Sequence, residues 1–110
     1  MSRKVVYISG PISGVDRYWE AFEEAEEEIR AKGHTPLTPA THPKGLTNGQ
    51  YMRMCLAQID CADVVLFLPN WKQSSGANLE RLYCMYVGIP CLDSIDQLEA
   101  NNEKEVEMWA

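Results

Sequence analysis

Five consecutive apolar residues, Val64 to Leu68, constrain this chain more than any other stretch; Pro69-Asn70 bound them, and Trp71-Lys72-Gln73-Ser74-Ser75-Gly76-Ala77-Asn78-Leu79-Glu80 follow. A run that is apolar on both faces suits a central parallel strand, because helices cover both sides of such a sheet. Beyond Gly76, the residues Leu79, Leu82, Tyr83 and Tyr86 recur at helical spacing as far as Gly88. The order is strand, loop, helix. In an open parallel sheet, ligands sit at the carboxyl ends of the strands, against the first turn of the next helix. Ser74, Ser75 and Gly76 place hydroxyls and backbone N–H groups at that helix start, a setting suited to phosphate. Glu80 lies one turn further along, on the same helical face as Gly76. The same residues also make an ordinary helix start, since serine caps helices and an early glutamate complements the dipole.

The remaining segments repeat this alternation. Val5-Val6-Tyr7-Ile8 is a short buried strand, and Ser9-Gly10-Pro11-Ile12-Ser13-Gly14 is the loop after it. Its glycines let the backbone approach a ligand or simply make a turn, and Pro11 removes one N–H donor. The loop is therefore neither a dinucleotide fingerprint nor a Walker loop. From Asp16 to Lys32, Tyr18, Phe22, Ala25 and Ile29 form an apolar stripe opposite a glutamate-rich face, and Gly33 stops the helix. His34 to Pro39 reads as an edge strand because it contains two prolines. Ala40 to Gly49 is longer than an αβ turn needs, which marks it as a lid or specificity loop with His42 as a possible ligand contact or an exposed loop residue. Met52, Cys55, Leu56 and Ile59 predict a helix over Gln50–Ala62, and Ile89 to Leu92 a fourth strand. Ser94 caps a predicted final helix with Ile95, Leu98 and Trp109 as anchors on an acidic tail.

Four strands alternating with helices give an α/β fold, a small flavodoxin- or Rossmann-like three-layer sandwich whose parallel sheet takes the order 2-1-3-4. That order brings the Gly10–Gly14 loop beside the Ser74–Glu80 segment in one crevice. At 110 residues the chain is one domain, with residues 93–110 as a helical acidic extension. The net charge of −6 argues against a nucleic-acid polymer as partner, because polyanion binding wants a basic stripe. A small phosphorylated ligand remains compatible with it, since a few N–H groups and hydroxyls hold one phosphate. Cys55, Cys61, Cys84 and Cys91 lack CxxC or Cys/His spacing and read as buried free thiols in a reducing compartment. No His/Asp/Glu cluster has metal-ligand spacing, so no metal and no cofactor are expected. No stretch fits a signal peptide or membrane span, so the protein is expected to be cytoplasmic.

Tyr7-Ile8-Ser9-Gly10-Pro11-Ile12-Ser13-Gly14, Cys61-Ala62-Asp63-Val64-Val65, Ser74-Ser75-Gly76-Ala77-Asn78-Leu79-Glu80 and Gly88-Ile89-Pro90 follow one another in an order that resembles the nucleoside 2-deoxyribosyltransferase-like superfamily. The nearest likeness is to a small branch, often seen in phages and prophages, with YISGPxSG and LPxWxxSxGAxxE motifs. The resemblance implies that Glu80 is a nucleophile toward the anomeric carbon of a nucleoside or nucleotide and that Tyr7 supports the chemistry. It further implies that the glycine loop (Ser9 to Gly14) and Ser74, with the N–H of Gly76, hold a 5′-phosphate. Trp71, Ser75 and Asn78 complete the expected substrate-binding set. A carboxylate suits this role because an N-glycosidic bond breaks through an oxocarbenium-like state that it can trap as a glycosyl ester.

One position departs from the pattern. Characterised members carry an aspartate on the second helix where this chain has Cys55, eight residues before Asp63. Asp60 stands five residues further on, roughly 140° around the helix, and does not take its place. If that carboxylate acts as general acid–base, its loss costs on the order of 10²- to 10⁴-fold in rate. Two readings follow: an N-glycosidase acting on a nucleotide or nucleotide-derived signal, whose cationic leaving group would depart without protonation, or a binding protein that sequesters such a molecule with a degenerate site. A ligand-free interaction domain is a third. The expected partner is a small nucleotide-type ligand, and the apolar Leu82, Tyr83, Met85 and Tyr86 suggest a homodimer or higher homo-oligomer.

Overall fold

The computed structural model describes residues 2–101. Its sheet contains β1 (Val5–Ser9), β2 (Thr35–Leu37), β3 (Val64–Phe67) and β4 (Cys91–Leu92). All neighbours are parallel, and the order is β2-β1-β3-β4, as the alternation of segments predicts. Three helices connect them: α1 (Tyr18–Ala31), α2 (Asn48–Asp60) and α3 (Ser75–Val87). No helix among the described residues is long and apolar enough to cross a membrane.

The pleat sorts successive strand residues to opposite faces. On one side Val6, Ile8, Val64 and Leu66 meet Phe22, Ala25 and Ile29 of α1. On the other, Tyr7, Val65 and Phe67 meet Cys55 and Ile59 of α2 and Cys84 of α3. Helix–sheet–helix is the expected sandwich. Pro36 is tolerated because β2 is an edge strand.

The structure differs from expectation in three places. Helix α2 begins at Asn48, two residues before the predicted start, because Thr47 and Gln50 form a reciprocal capping box. Ser94 does cap, but within the described residues it caps only a single 3-10 turn, Ile95–Gln97. The chain then turns inward, burying Leu98 in the α1-side core while Lys32 Nζ donates to the carbonyls of Ile95 (3.0 Å) and Leu98 (2.7 Å). The turn ends because Leu98, its C-cap, is extended at φ −91, ψ 117. Trp109 lies outside the described residues. All four cysteines are free, yet only Cys55 and Cys84 are buried; Cys61 is exposed at the C-cap of α2, and Cys91 is half-buried.

The segment after Leu98 crosses the α1–β2 turn. Asn101 N–H donates to Lys32 O at 2.7 Å, and its side-chain amide donates to Gly33 O at 3.1 Å. Gly33 has φ +85, and a Cβ there would stand 2.7 Å from the Asn101 carbonyl, so both conformation and space demand glycine.

Candidate active site

The buried stripe of α3 is Ala77, Glu80 and Cys84. Glu80 thus occupies a position where a helix packed on a sheet ordinarily presents an apolar side chain. It is 5% exposed. A buried carboxylate is costly unless hydrogen-bonded, and two hydroxyls from β1 supply those bonds. Ser9 Oγ donates to Glu80 Oε1 at 2.6 Å, and Tyr7 OH donates to Oε2 at 3.2 Å. Tyr7 and Ser9 are two residues apart on one strand, so the pleat aims both at α3.

Burial pushes the Glu80 carboxyl above its ordinary range, and the Ser9, Tyr7 and Cys55 contacts draw it partly back. Tyr7 is held well above the usual tyrosine range, first by burial and then by the adjacent Glu80 charge. Cys55 occupies the α2 wall of the same site, and its thiol is pushed up to about 12, chiefly by burial. It therefore remains a neutral thiol against the carboxylate. Tyr51 adjoins this group, its hydroxyl donating to Pro39 O at 3.2 Å, and burial raises it as well. Among the described residues no group of three or more His, Cys, Asp or Glu could hold a metal ion.

The loop after β1 closes as a turn in which Val15 N–H donates to Ile12 O at 3.2 Å, with Gly14 at φ +75 in its third position. Ser13 and Gly14 are exposed at its tip, while Pro11 and Ile12 are half-buried. Gly10 has a packing reason for its identity, since a Cβ there would lie 3.0 to 3.3 Å from the Leu68 side chain. Ser9, grouped with this loop in the sequence, gives its hydroxyl to Glu80 instead of leaving it free at the loop.

At the other side of the crevice, Ser74 caps α3, its Oγ accepting from Ala77 N–H at 3.1 Å. The N–H groups of Ser75 and Gly76 stand at the helix start, beyond the reach of any intrahelical carbonyl. Gly76 faces Met52 of α2, whose Cε would be 3.4 Å from an added Cβ. Asn78 is occupied structurally, its amide donating to Lys72 O (2.9 Å) and Ser74 O (2.7 Å) and fixing the loop to the helix. Trp71 is half-buried. Its ring packs edgewise on Phe67 at 5.2 Å and lies 4.7 Å from the Arg81 guanidinium.

Arg81 is a neighbour of Glu80 that the sequence did not single out. Between Phe67 and Trp71, it also pairs with Asp93 at 2.6 Å, tying α3 to the segment after β4. A groove of about 400 Å³ opens beside this clamp, lined by residues 67–73 and Asp93. Arg81 directly follows Glu80 in the sequence, which is the signal that could have marked it.

Solved structures contain a similar fold: the 2-deoxyribosyltransferase from the psychrotolerant bacterium Bacillus psychrosaccharolyticus superposes with a TM-score of 0.63. The two chains are 19% identical over 79% of this chain and 69% of that one, a likeness of fold. No curated protein matches the sequence. A model of the family described as a domain of unknown function, DUF4406, matches residues 4–93, which include β1 with α1 and β3 with α3 in full, and the chain belongs to that family.

Proposed function

We propose that this protein is an N-glycosidase acting on a nucleotide or nucleotide-derived small molecule, with Glu80 as the nucleophile. One observation carries the reading: a carboxylate stands at a core position of α3, both of its oxygens held by hydroxyls from the end of β1. A glutamate kept only for helix stability would sit on the solvent face. Here the geometry orients a carboxylate in a poorly solvated site, where it is a better nucleophile than in water.

The reaction takes two steps. A Glu80 oxygen forms a bond to the anomeric carbon while the C–N bond breaks and its electron pair leaves with the base. Water then attacks the same carbon, loses a proton and frees the sugar, restoring the carboxylate. Tyr7 and Ser9 hold the attacking oxygens and accept the change in charge as the ester forms and breaks. The N–H groups of Ser75 and Gly76 are suited to a phosphate on the substrate, and Ser13 and Gly14, exposed at the tip of the β1 loop, are a second candidate contact for it. The fold similarity to a 2-deoxyribosyltransferase supports a nucleoside-type ligand.

A sequestering protein is the competing reading, and one observation favours it: the α2 wall beside Glu80 offers a neutral thiol, Cys55, where a second carboxylate would serve proton transfer. Incubation with a panel of nucleosides, nucleotides and nicotinamide dinucleotide, with released base followed by chromatography, separates the two. Release by wild type but not by Glu80→Gln is the expected result. Recovery of one compound bound and unchanged by both proteins would establish sequestration.

A further inference from the structure

A neutral nucleobase leaves poorly unless a proton reaches it, and the groups packed around Glu80 are poor donors. Tyr7 and Tyr51 are both held above the ordinary tyrosine range, and the Cys55 thiol is pushed up to about 12. The supply has to come from the next layer of the crevice wall. There, His42 lies on the loop that follows β2, at the carboxyl end of the strand next to β1. Its ring packs edge-on against Tyr51, with centroids 5.2 Å apart and planes at 72°, and the His42 backbone N–H donates to Pro39 O, the carbonyl that also accepts from Tyr51 OH. Tyr51 in turn lies within electrostatic reach of Cys55 and Glu80. A continuous wall therefore runs from Glu80 through Tyr51 to His42.

The imidazole carries a feature that packing alone does not explain. Its Nδ1 is buried and has no hydrogen-bond partner among the described residues. Buried side-chain nitrogens are nearly always paired, and an orphan calls for a partner that the described residues do not supply. His34, the other histidine, has both ring nitrogens engaged, Nδ1 accepting from Lys4 N–H at 3.0 Å and Nε2 against Glu99 O at 2.6 Å. The contrast separates a structural histidine from an uncommitted one.

We infer that His42 is the general acid–base of this site, protonating a neutral purine or pyrimidine as it departs from the sugar held at Glu80. The imidazolium gives its proton to a ring nitrogen of the base as the C–N electron pair moves onto the base. The neutral imidazole then takes the proton lost by the water that cleaves the glycosyl ester, which returns it to its starting form. Imidazole is the side-chain type that exchanges protons in both directions near neutral pH. The inference rests on the nucleophile reading of Glu80 and adds the leaving-group class to it.

The test compares release of a neutral base and of cationic nicotinamide, carried on the same sugar phosphate, by wild type, His42→Ala, His42→Gln and Glu80→Gln. A cationic base leaves without a proton. Read in the first turnover, before the ester is cleaved, the expected result is a fall of about 10²- to 10⁴-fold in neutral-base release for both His42 variants, with nicotinamide release in that turnover within a factor of about three of wild type. Added imidazole should restore neutral-base release to His42→Ala, and this rescue decides the matter if wild type takes neutral bases alone. Equal losses on both substrates without rescue would mean that His42 only shapes the loop, and unchanged rates would mean that it does nothing; either overturns the inference while leaving Glu80 in place. Wild-type release of nicotinamide alone also overturns it. Base release by Glu80→Gln at the wild-type rate would instead remove the nucleophile on which it rests.

Discussion

The two faces of the sheet solve different problems. On the α1 side, Val6, Ile8, Phe22, Ile29, Val64 and Leu66 make a hydrocarbon core without a buried carboxylate. On the α2–α3 side, Val65, Phe67 and Ile59 share the interior with Tyr7, Ser9, Glu80 and two thiols. The same strands contribute to both, with alternate residues of β1 going to opposite layers. One face stabilises the fold, and the other gives up some of that stability to keep a carboxylate oriented and dry. A stability cost concentrated on one face is the usual mark of a working site.

The largest effect should come from the α1 side. Phe22→Ala removes a fully buried ring from a well-packed layer and should cost about 3–5 kcal/mol by urea denaturation. A cost near the roughly 1 kcal/mol of an average point mutation would mean that this face is not the main stabilising layer. Ser9→Ala strips one partner from a buried carboxylate oxygen and should cost about 1–3 kcal/mol at neutral pH. The cost should shrink in acid. Ser9 draws the Glu80 carboxyl down, so its loss raises that group further and leaves the neutral form as the better-tolerated one.

Glu80→Gln should act in the opposite direction. The folded carboxyl is raised above its unfolded range, so the stability due to Glu80 is fully present below the unfolded value and is lost as pH rises through the folded one. The Gln side chain does not ionise. Its melting temperature should therefore exceed that of wild type at pH 7 to 8, by a gain on the order of 1 kcal/mol, and the gap should close toward pH 4. A variant less stable than wild type across this range would show that Glu80 is a net stabilising group and break the contrast between the faces.

The smallest effect on folding belongs to the outer surface of α3. Leu82, Met85 and Tyr86 are exposed there, Tyr86 at 93%, with Leu79 and Val87 beside them. The exposed residues of α3 itself include no acidic side chain in a chain of net charge −6, which lowers like-charge repulsion against a second copy. Tyr86→Glu should leave the unfolding free energy within about 0.5 kcal/mol after correction for association, while light scattering shifts from oligomer to monomer. A monomeric wild type would assign these side chains to the surface alone.

What was legible in the sequence followed the range of the interactions. The apolar run Val64 to Leu68 and the stripe Phe22, Ala25 and Ile29 announce their layers locally, which is why the parallel sheet and its order could be anticipated. Glu80 drew attention for its place near a helix start, but its partners are more than seventy residues away in sequence. Ser9 therefore looked like part of a phosphate loop, whereas the pleat of β1 gives its hydroxyl to Glu80. Arg81 and Asp93 meet only because α3 and β4 fold back on one another. Ser94 looked like the cap of a long helix, but within the described residues the chain turns extended at Leu98, which is drawn into the α1-side core. Local pattern reveals elements; the partners of a buried polar group depend on the fold.

The most direct test of Glu80 is to look for the ester it should form. A substrate identified from the panel is mixed with the protein, quenched in acid within the first turnover, and the peptides are mapped by mass spectrometry. One glycosyl group on the peptide containing Glu80, absent from Glu80→Gln, is the predicted result. Base release from an unmodified Glu80 peptide at every time point, with equal turnover by Glu80→Gln, would contradict the assignment of Glu80 as nucleophile.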